Sequence, residues 1–194
     1  LGEDLRYVSR GGLKLEKALQ HWQIDVTGKT CLDVGASTGG FTDCLLQHGA
    51  ARVIAIDTGQ GQIHNRVRQD PRVRLLENTN ARYLTREQLG EPADLIVMDV
   101  SFISATLLIT SVVAAASASD SRPQRLIVLV KPQFEVGREQ VGKGGIVKDP
   151  AAQQYAIDKV RAAVEQLQPK SIDVIESPIL GAEGNREFLL HAVF

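Results

Sequence analysis

The sequence predicts an α/β fold: a mostly parallel seven-stranded sheet with helices on both faces. Three observations predict it. Short apolar runs alternate with segments of helical periodicity along almost the whole chain, the pattern of strands joined by crossover helices. A glycine-rich turn from Gly35 to Gly40 follows the first apolar run. Charged residues end later runs: Asp57, Asp99 and Lys131. A parallel sheet carries such strand ends to one rim, where ligands bind in folds of this kind.

Each element follows from its neighbours in the chain. Residues 11–22 place Leu13, Lys14, Lys17 and Ala18 at helical spacings, with Ser9 as the expected cap. Strands are predicted at 30–34, 52–56, 73–76, 95–98, 125–130, 171–176 and 187–194. Helices are predicted at 41–48, ended by Gly49; at 62–69, stopped by Asp70-Pro71; and at 85–89, capped by Thr85. A long helix is predicted at 103–117, and another opens at Asp149-Pro150 and runs to 167. Residues 132–148 hold four glycines among charged side chains, too many for a stable helix. A loop of that length in a small domain is usually functional. The last two strands are joined by a short connection and can pair antiparallel.

Composition narrows the class. With 194 residues the chain suits one domain with a sizeable core. Its 22 basic and 23 acidic residues nearly cancel, which argues against strong non-specific nucleic-acid binding but leaves room for a local basic patch. Two basic groups stand out: Arg6, Arg10, Lys14 and Lys17, then Arg66, Arg68, Arg72 and Arg74. Either is a solvated surface or a set of phosphate contacts. Cys31 and Cys44 are too few for a disulfide scaffold and read as small buried hydrophobes. The four histidines show no metal-ligand spacing, so no metal is expected. There is no run of 18 apolar residues, and the N-terminus lacks the apolar core of a signal peptide, so a cytoplasmic protein is expected.

Asp33-Val34-Gly35-Ala36-Ser37-Thr38-Gly39-Gly40-Phe41 is the first chemical constellation. Gly35 would turn the backbone sharply, and Gly39 and Gly40 would admit a ligand closely. The segment has no P-loop lysine and lacks dinucleotide G-x-G-x-x-G spacing. A nucleoside with free ribose hydroxyls fits better, with Asp57 accepting hydrogen bonds from both. Asn78, Thr79 and Asn80 either meet a base edge or make turns.

Further segments complete a recognisable set. They are Tyr7-Val8-Ser9-Arg10-Gly11-Gly12-Leu13-Lys14, residues 33–46, Asp99-Val100-Ser101-Phe102-Ile103-Ser104, Lys131-Pro132-Gln133-Phe134-Glu135, Gly142-Lys143-Gly144-Gly145 and Gly184-Asn185-Arg186-Glu187-Phe188. In order and over nearly the whole chain, this set resembles the TlyA family. Its members are ribosomal RNA 2'-O-methyltransferases that are often named hemolysins. The set resembles the FtsJ-like methyltransferases more distantly.

The resemblance implies a Rossmann-like class I methyltransferase fold, S-adenosylmethionine as cofactor, and ribosomal RNA or a ribosomal subunit as partner. The target would be a ribose 2'-hydroxyl, of cytidine by family resemblance. It implies a catalytic tetrad of Lys14, Asp99, Lys131 and Glu187. It implies cofactor contacts at Asp33, Gly35, Ala36, Ser37, Thr38, Gly39, Gly40, Phe41, Asp57, Asn80 and Asp99. Family members begin with a small S4-type RNA-binding domain. This chain starts at Leu1 without one, so residues 1–194 are expected to be the methyltransferase domain alone.

The chemistry suggests a division of roles. A lysine is a base only when partly neutral; burial or a nearby cation favours that form and carboxylates oppose it. Lys131 is assigned as the proton acceptor, oriented by Asp99. Lys14 would steady the developing alkoxide or hold a phosphate, oriented by Glu187. Residues 132–148 would form a substrate-facing lid, with Arg138, Lys143 and Lys148 toward phosphates. Phe134 and Trp22 are expected to serve packing more than stacking. A target inside a helix would have to be flipped out.

Other classes stay open at this point. One is a non-catalytic RNA-binding or cytolytic protein on the same fold, which liposome leakage without cofactor would favour. A DNA or protein methyltransferase is another. The amino-methylating enzymes carry an Asn/Asp-Pro-Pro-Tyr type of motif at the end of the fourth strand, where this chain has Asp99-Val100-Ser101-Phe102. An NAD-dependent oxidoreductase is the weakest.

Overall fold

All seven apolar runs form strands. The computed structural model describes residues 6–194. Its strands are β1 (Thr30–Val34), β2 (Arg52–Ile56), β3 (Val73–Leu76), β4 (Leu95–Met98), β5 (Arg125–Val130), β6 (Ser171–Glu176) and β7 (Phe188–Val193). They make one sheet in the order β3-β2-β1-β4-β5-β7-β6. The first five strands run parallel, while β7 pairs antiparallel with both β5 and β6. Chain order reverses between β1 and β4. That switch point opens a crevice beyond their carboxyl ends.

The helices are α1 (Gly11–His21), α2 (Gly40–Gln47), α3 (Asn65–Arg68), α4 (Arg86–Leu89), α5 (Ile109–Ala116) and α6 (Pro150–Glu165). Strand side chains alternate between two cores. Leu32, Ile54, Ile96 and Val128 pack on the side of α5 and α6. Cys31, Val53, Val97 and Ile127 pack on the side of α1 and α2. Both cysteines are free and fully buried. Thr85 and Asp149 cap their helices as the sequence predicts, accepting from Gln88 N at 3.1 Å and Ala151 N at 2.9 Å.

Three elements differ from expectation. Ser9 does not cap α1; Arg10 occupies that place with no side-chain bond. The helix expected at 62–69 shrinks to α3, capped by His64, which accepts from Arg66 N at 3.1 Å. The helix expected at 103–117 is broken. Phe102 adopts φ +65°, Ser104 starts a 3-10 turn at Ala105–Leu107, and α5 begins only at Ile109. The segment after β4 is fixed by a distant carboxylate, which local periodicity cannot register. Residues 132–148 contain only 3-10 turns, at Pro132–Phe134, Arg138–Gln140 and Lys143–Gly145. Among the described residues, no helix is long and apolar enough to cross a membrane.

Candidate active site

The turn after β1 builds one side of the crevice from main chain. Gly35 takes φ +83°, and a Cβ there would overlap the carbonyl oxygen of Asp99. Only glycine lets β1 and β4 close at this point. Gly39, also expected at the cofactor, takes φ +101°. Its open side faces Ile63 and Val67, and it lines neither cavity. Gly40 lines the cleft described below, yet the space a side chain would need is filled by Ser9 Oγ. The close approach at these two glycines is by the protein's own chain.

A cavity of about 390 Å³ lies beside this turn, lined by Gly35, Ser37, Asp57, Asn80, Asp99 and the apolar Ile56, Val100, Ile103 and Leu108. Asp57 sits at the end of β2, its carboxylate accepting from Ser37 N at 3.2 Å and Gly59 N at 2.9 Å. Those bonds fix its orientation and leave lone pairs for two ligand hydroxyls. Asn80 Oδ1 accepts from Arg82 N at 3.0 Å.

Asp33, also expected at the cofactor, lies deeper than the other residues of that set. It is fully buried beneath the turn, where Oδ2 accepts from Thr42 Oγ1 at 2.7 Å and Oδ1 has no partner among the described residues. Burial pushes its carboxyl up to about 7; the Thr42 hydrogen bond opposes this, and the charges of Asp99 and Asp57 add to it. The two carboxylates that line the cavity, Asp57 and Asp99, favour a cation and disfavour an anion.

A second cleft, of about 530 Å³, adjoins the first. It shares Gly35, Ser37, Asp99, Ser101 and Phe102 with it. Ala36, Thr38 and Phe41, expected at the cofactor, line this second cleft and not the first. Their backbone turns over the end of β1 toward α1, which moves them to the far side of the shared wall. Lys14, Asp99, Lys131 and Glu187 all line the second cleft, brought there from α1, the ends of β4 and β5, and the residue before β7. Lys14 Nζ pairs with Glu187 Oε1 at 2.5 Å, both buried. Lys131 Nζ pairs with Asp99 Oδ1 and donates to Ser101 Oγ at 2.9 Å. The two lysines are matched by two carboxylates, so the cluster carries no excess cation.

Three residues not singled out by sequence hold this arrangement. Glu135 is buried, accepts from Ala105 N at 2.8 Å and Ser104 Oγ at 2.5 Å, and pairs with Lys159 at 3.3 Å. It thereby ties the segment after β4 to the segment after β5. Asn185, fully buried, accepts from Val147 N at 2.9 Å and donates to Gly145 O at 2.9 Å, joining the glycine-rich loop to the turn that carries Glu187. Ser101 is the third. All three lie in segments with family resemblance, but only contacts 30 or more residues away reveal their roles.

Other expectations shift. Phe134 is no core anchor: its ring lies 5.1 Å from that of Phe102, which is 91% exposed at the shared wall. Trp22 is half-buried and packs against the α1–α2 core. The second basic group meets acids within the protein: Arg66 with Asp43 at 2.7 Å, Arg68 with Glu77 at 3.0 Å, Arg72 with Asp70 at 2.8 Å and Arg74 with Glu91 at 3.9 Å. Of the first group, Arg10 lines the cleft. Arg138, Lys143 and Lys148 are exposed on their loop.

Residues 7–194 match the family described as FtsJ-like methyltransferase. The 16S/23S rRNA (cytidine-2'-O)-methyltransferase TlyA of Mycobacterium tuberculosis is 48% identical over 184 residues, 95% of this chain and 67% of that protein. Hemolysin A of Brachyspira hyodysenteriae is 41% identical over 192 residues, 98% of this chain and 78% of that protein. A crystal structure described as a hemolysin from Lactococcus lactis superposes with TM-score 0.90 and 44% identity, covering 98% of this chain and 89% of that one. The chain thus spans about two thirds of the length of the TlyA protein it matches. Matched from its first described residues to its last, it belongs to the FtsJ-like methyltransferase family and is homologous to the TlyA proteins.

Proposed function

We propose that this chain moves a methyl group from S-adenosylmethionine to a ribose 2'-hydroxyl of ribosomal RNA, on a cytidine as in its TlyA relatives. One observation carries the proposal: a nucleoside-sized cavity and a lysine-lined cleft meet at a shared wall containing Asp99. The residues present fit the cofactor. Asp57 suits the ribose hydroxyls, the apolar wall of Ile103 and Leu108 suits a purine face, and the Asp99 carboxylate at the shared wall suits a sulfonium charge. When bound, the cofactor supplies an electrophilic methyl carbon with a good leaving group.

The protein's own part is positioning and proton management. Arg10 and Lys14 line the outer cleft and suit the phosphates flanking the target. The exposed ring of Phe102 suits a base turned out of its stack. Lys131 Nζ, once it has given its own proton to solvent, is assigned as acceptor of the hydroxyl proton, with Asp99 as charge partner of the ammonium that forms. Holding the target hydroxyl in one fixed orientation in the cleft would supply several kcal/mol of the barrier. Lys14, held by Glu187, faces the charge that develops on oxygen.

We take residues 1–194 as one catalytic domain acting in the cytoplasm, with an S4-type domain elsewhere in the whole protein completing RNA affinity. Labelled methyl transfer to ribosomal RNA and to intact subunits, with mapping of the modified nucleotide, tests the proposal. A 2'-O-methylated cytidine is expected. Label on a base or on protein overturns the substrate, and lysis of liposomes without cofactor would favour the cytolytic alternative.

A further inference from the structure

We infer that Ser101 is a positioning residue that aims the Nζ of Lys131 at the substrate hydroxyl. The inference rests on the role given to Lys131 above. Among the described residues, Lys131 Nζ has two polar neighbours. Asp99 meets it as an ion pair. Ser101 Oγ meets it in a hydrogen bond at 2.9 Å. Charge attraction is weakly directional, whereas a hydrogen bond fixes direction. Asp99 therefore supplies charge, and Ser101 supplies orientation.

The chemistry of the two partners differs in a second way. A carboxylate only accepts, so it serves an ammonium better than an amine. A hydroxyl both donates and accepts. It accepts from Lys131 while Nζ is an ammonium, and its contact persists when Nζ is neutral. With Nζ pinned on one side by Ser101 and on another by Asp99, its remaining tetrahedral position is left for the cleft. The face of the Phe134 ring, 5.9 Å away, limits swinging on a further side.

The backbone is built to keep Ser101 there. Asp99 and Ser101 are two residues apart, both line the cleft, and the chain turns immediately afterwards at Phe102 with φ +65°. A left-handed conformation at a phenylalanine is costly and persists only where surroundings impose it. The residues that follow Phe102 are held by Glu135. It rises from the same segment as Lys131 and holds Ser104 Oγ and Ala105 N. Both sides of the Lys131–Ser101 contact are thus tied to one buried carboxylate. Ser101 itself is exposed in the cleft, so its position has no packing purpose.

Steady-state methyl transfer by Ser101→Ala, Ser101→Thr and Ser101→Cys tests this, with lysine-labelled NMR of the cofactor-free protein as a second arm. For Ser101→Ala, kcat is expected to fall about tenfold or more, with RNA KM and cofactor affinity within about twofold and thermal stability unchanged. Ser101→Thr should recover most of kcat, and Ser101→Cys, a poor acceptor, should not. In NMR the Lys131 side chain should be ordered in the parent and the threonine variant and mobile in the alanine variant. A raised KM with unchanged kcat would make Ser101 a substrate contact and overturn the inference, as would full activity in the alanine variant or equal Lys131 order in all three. A parent protein without ribose methylation would sink the proposed function alone, because the NMR arm requires no turnover.

Discussion

The two halves of the crevice are made differently. On the side of β1, β2 and β3, the site is mostly main chain: a glycine turn, a strand end and the backbone hydrogen bonds that Asp57 accepts from residues two and twenty positions away. On the side of β4, β5 and β7, it is side chains, and one ion pair joins residues 173 positions apart. The first half binds by shape and is made locally. The second works by charge and exists only once the sheet is closed. Substitutions should therefore weaken binding in one half and chemistry or folding in the other.

The sharpest break is Lys131→Ala. It should lower kcat by about 10³-fold, the scale of a lost proton acceptor, and leave cofactor affinity nearly intact by calorimetry. Activity within tenfold of the parent would remove Lys131 from that role. Next comes Glu187→Ala, which strands the buried ammonium of Lys14. Breaking a buried pair costs about 3–5 kcal/mol, so urea unfolding should show a large loss. Truncating the exposed Arg10 on the same cleft should cost under about 0.5 kcal/mol; equal losses would mean that Lys14 and Glu187 are not truly desolvated.

In the main-chain half, Asp57→Asn should reduce cofactor affinity by about 10- to 100-fold, the value of charge-assisted hydrogen bonds. Maximal rate at saturating cofactor should hold; a fall in rate with intact affinity would blur the contrast.

The smallest effect separates the halves by pH. Burial, aided by Asp99 and Asp57, raises Asp33 to about 7, so the folded state holds its proton longer than the unfolded one. Its contribution to stability is complete below about pH 4 and is lost as pH rises to about 7. In the other half, burial and then the Arg125 cation lower His191 to about 4 from 6.5. Its contribution is complete above 6.5 and is lost as pH falls toward 4. The slopes oppose each other. Asp33→Asn should gain relative to the parent as pH rises from 5 to 8, and His191→Gln as pH falls from 6.5 to 4.5, both by thermal melting. Flat differences would show that neither group is shielded from water.

Most of the scaffold was legible because its signals are local. Apolar runs bounded by glycine, proline or charge placed the strands, and Thr85 and Asp149 marked helix starts. The helix expected at 103–117 failed because its first turns answer to Glu135, 30 residues on. The partner of Phe134 is not legible because its neighbour Phe102 belongs to another strand end.

By itself the sequence determined the strands, the glycine turn and which charged residues end them, because backbone sterics and side-chain periodicity act over a few residues. Only the tertiary structure decided that Asp33 lies sealed beneath the turn, and that Ser101, Glu135 and Asn185 carry weight. Those facts depend on strand order and register, and such pairings are formed between segments whose separation along the chain leaves no local trace.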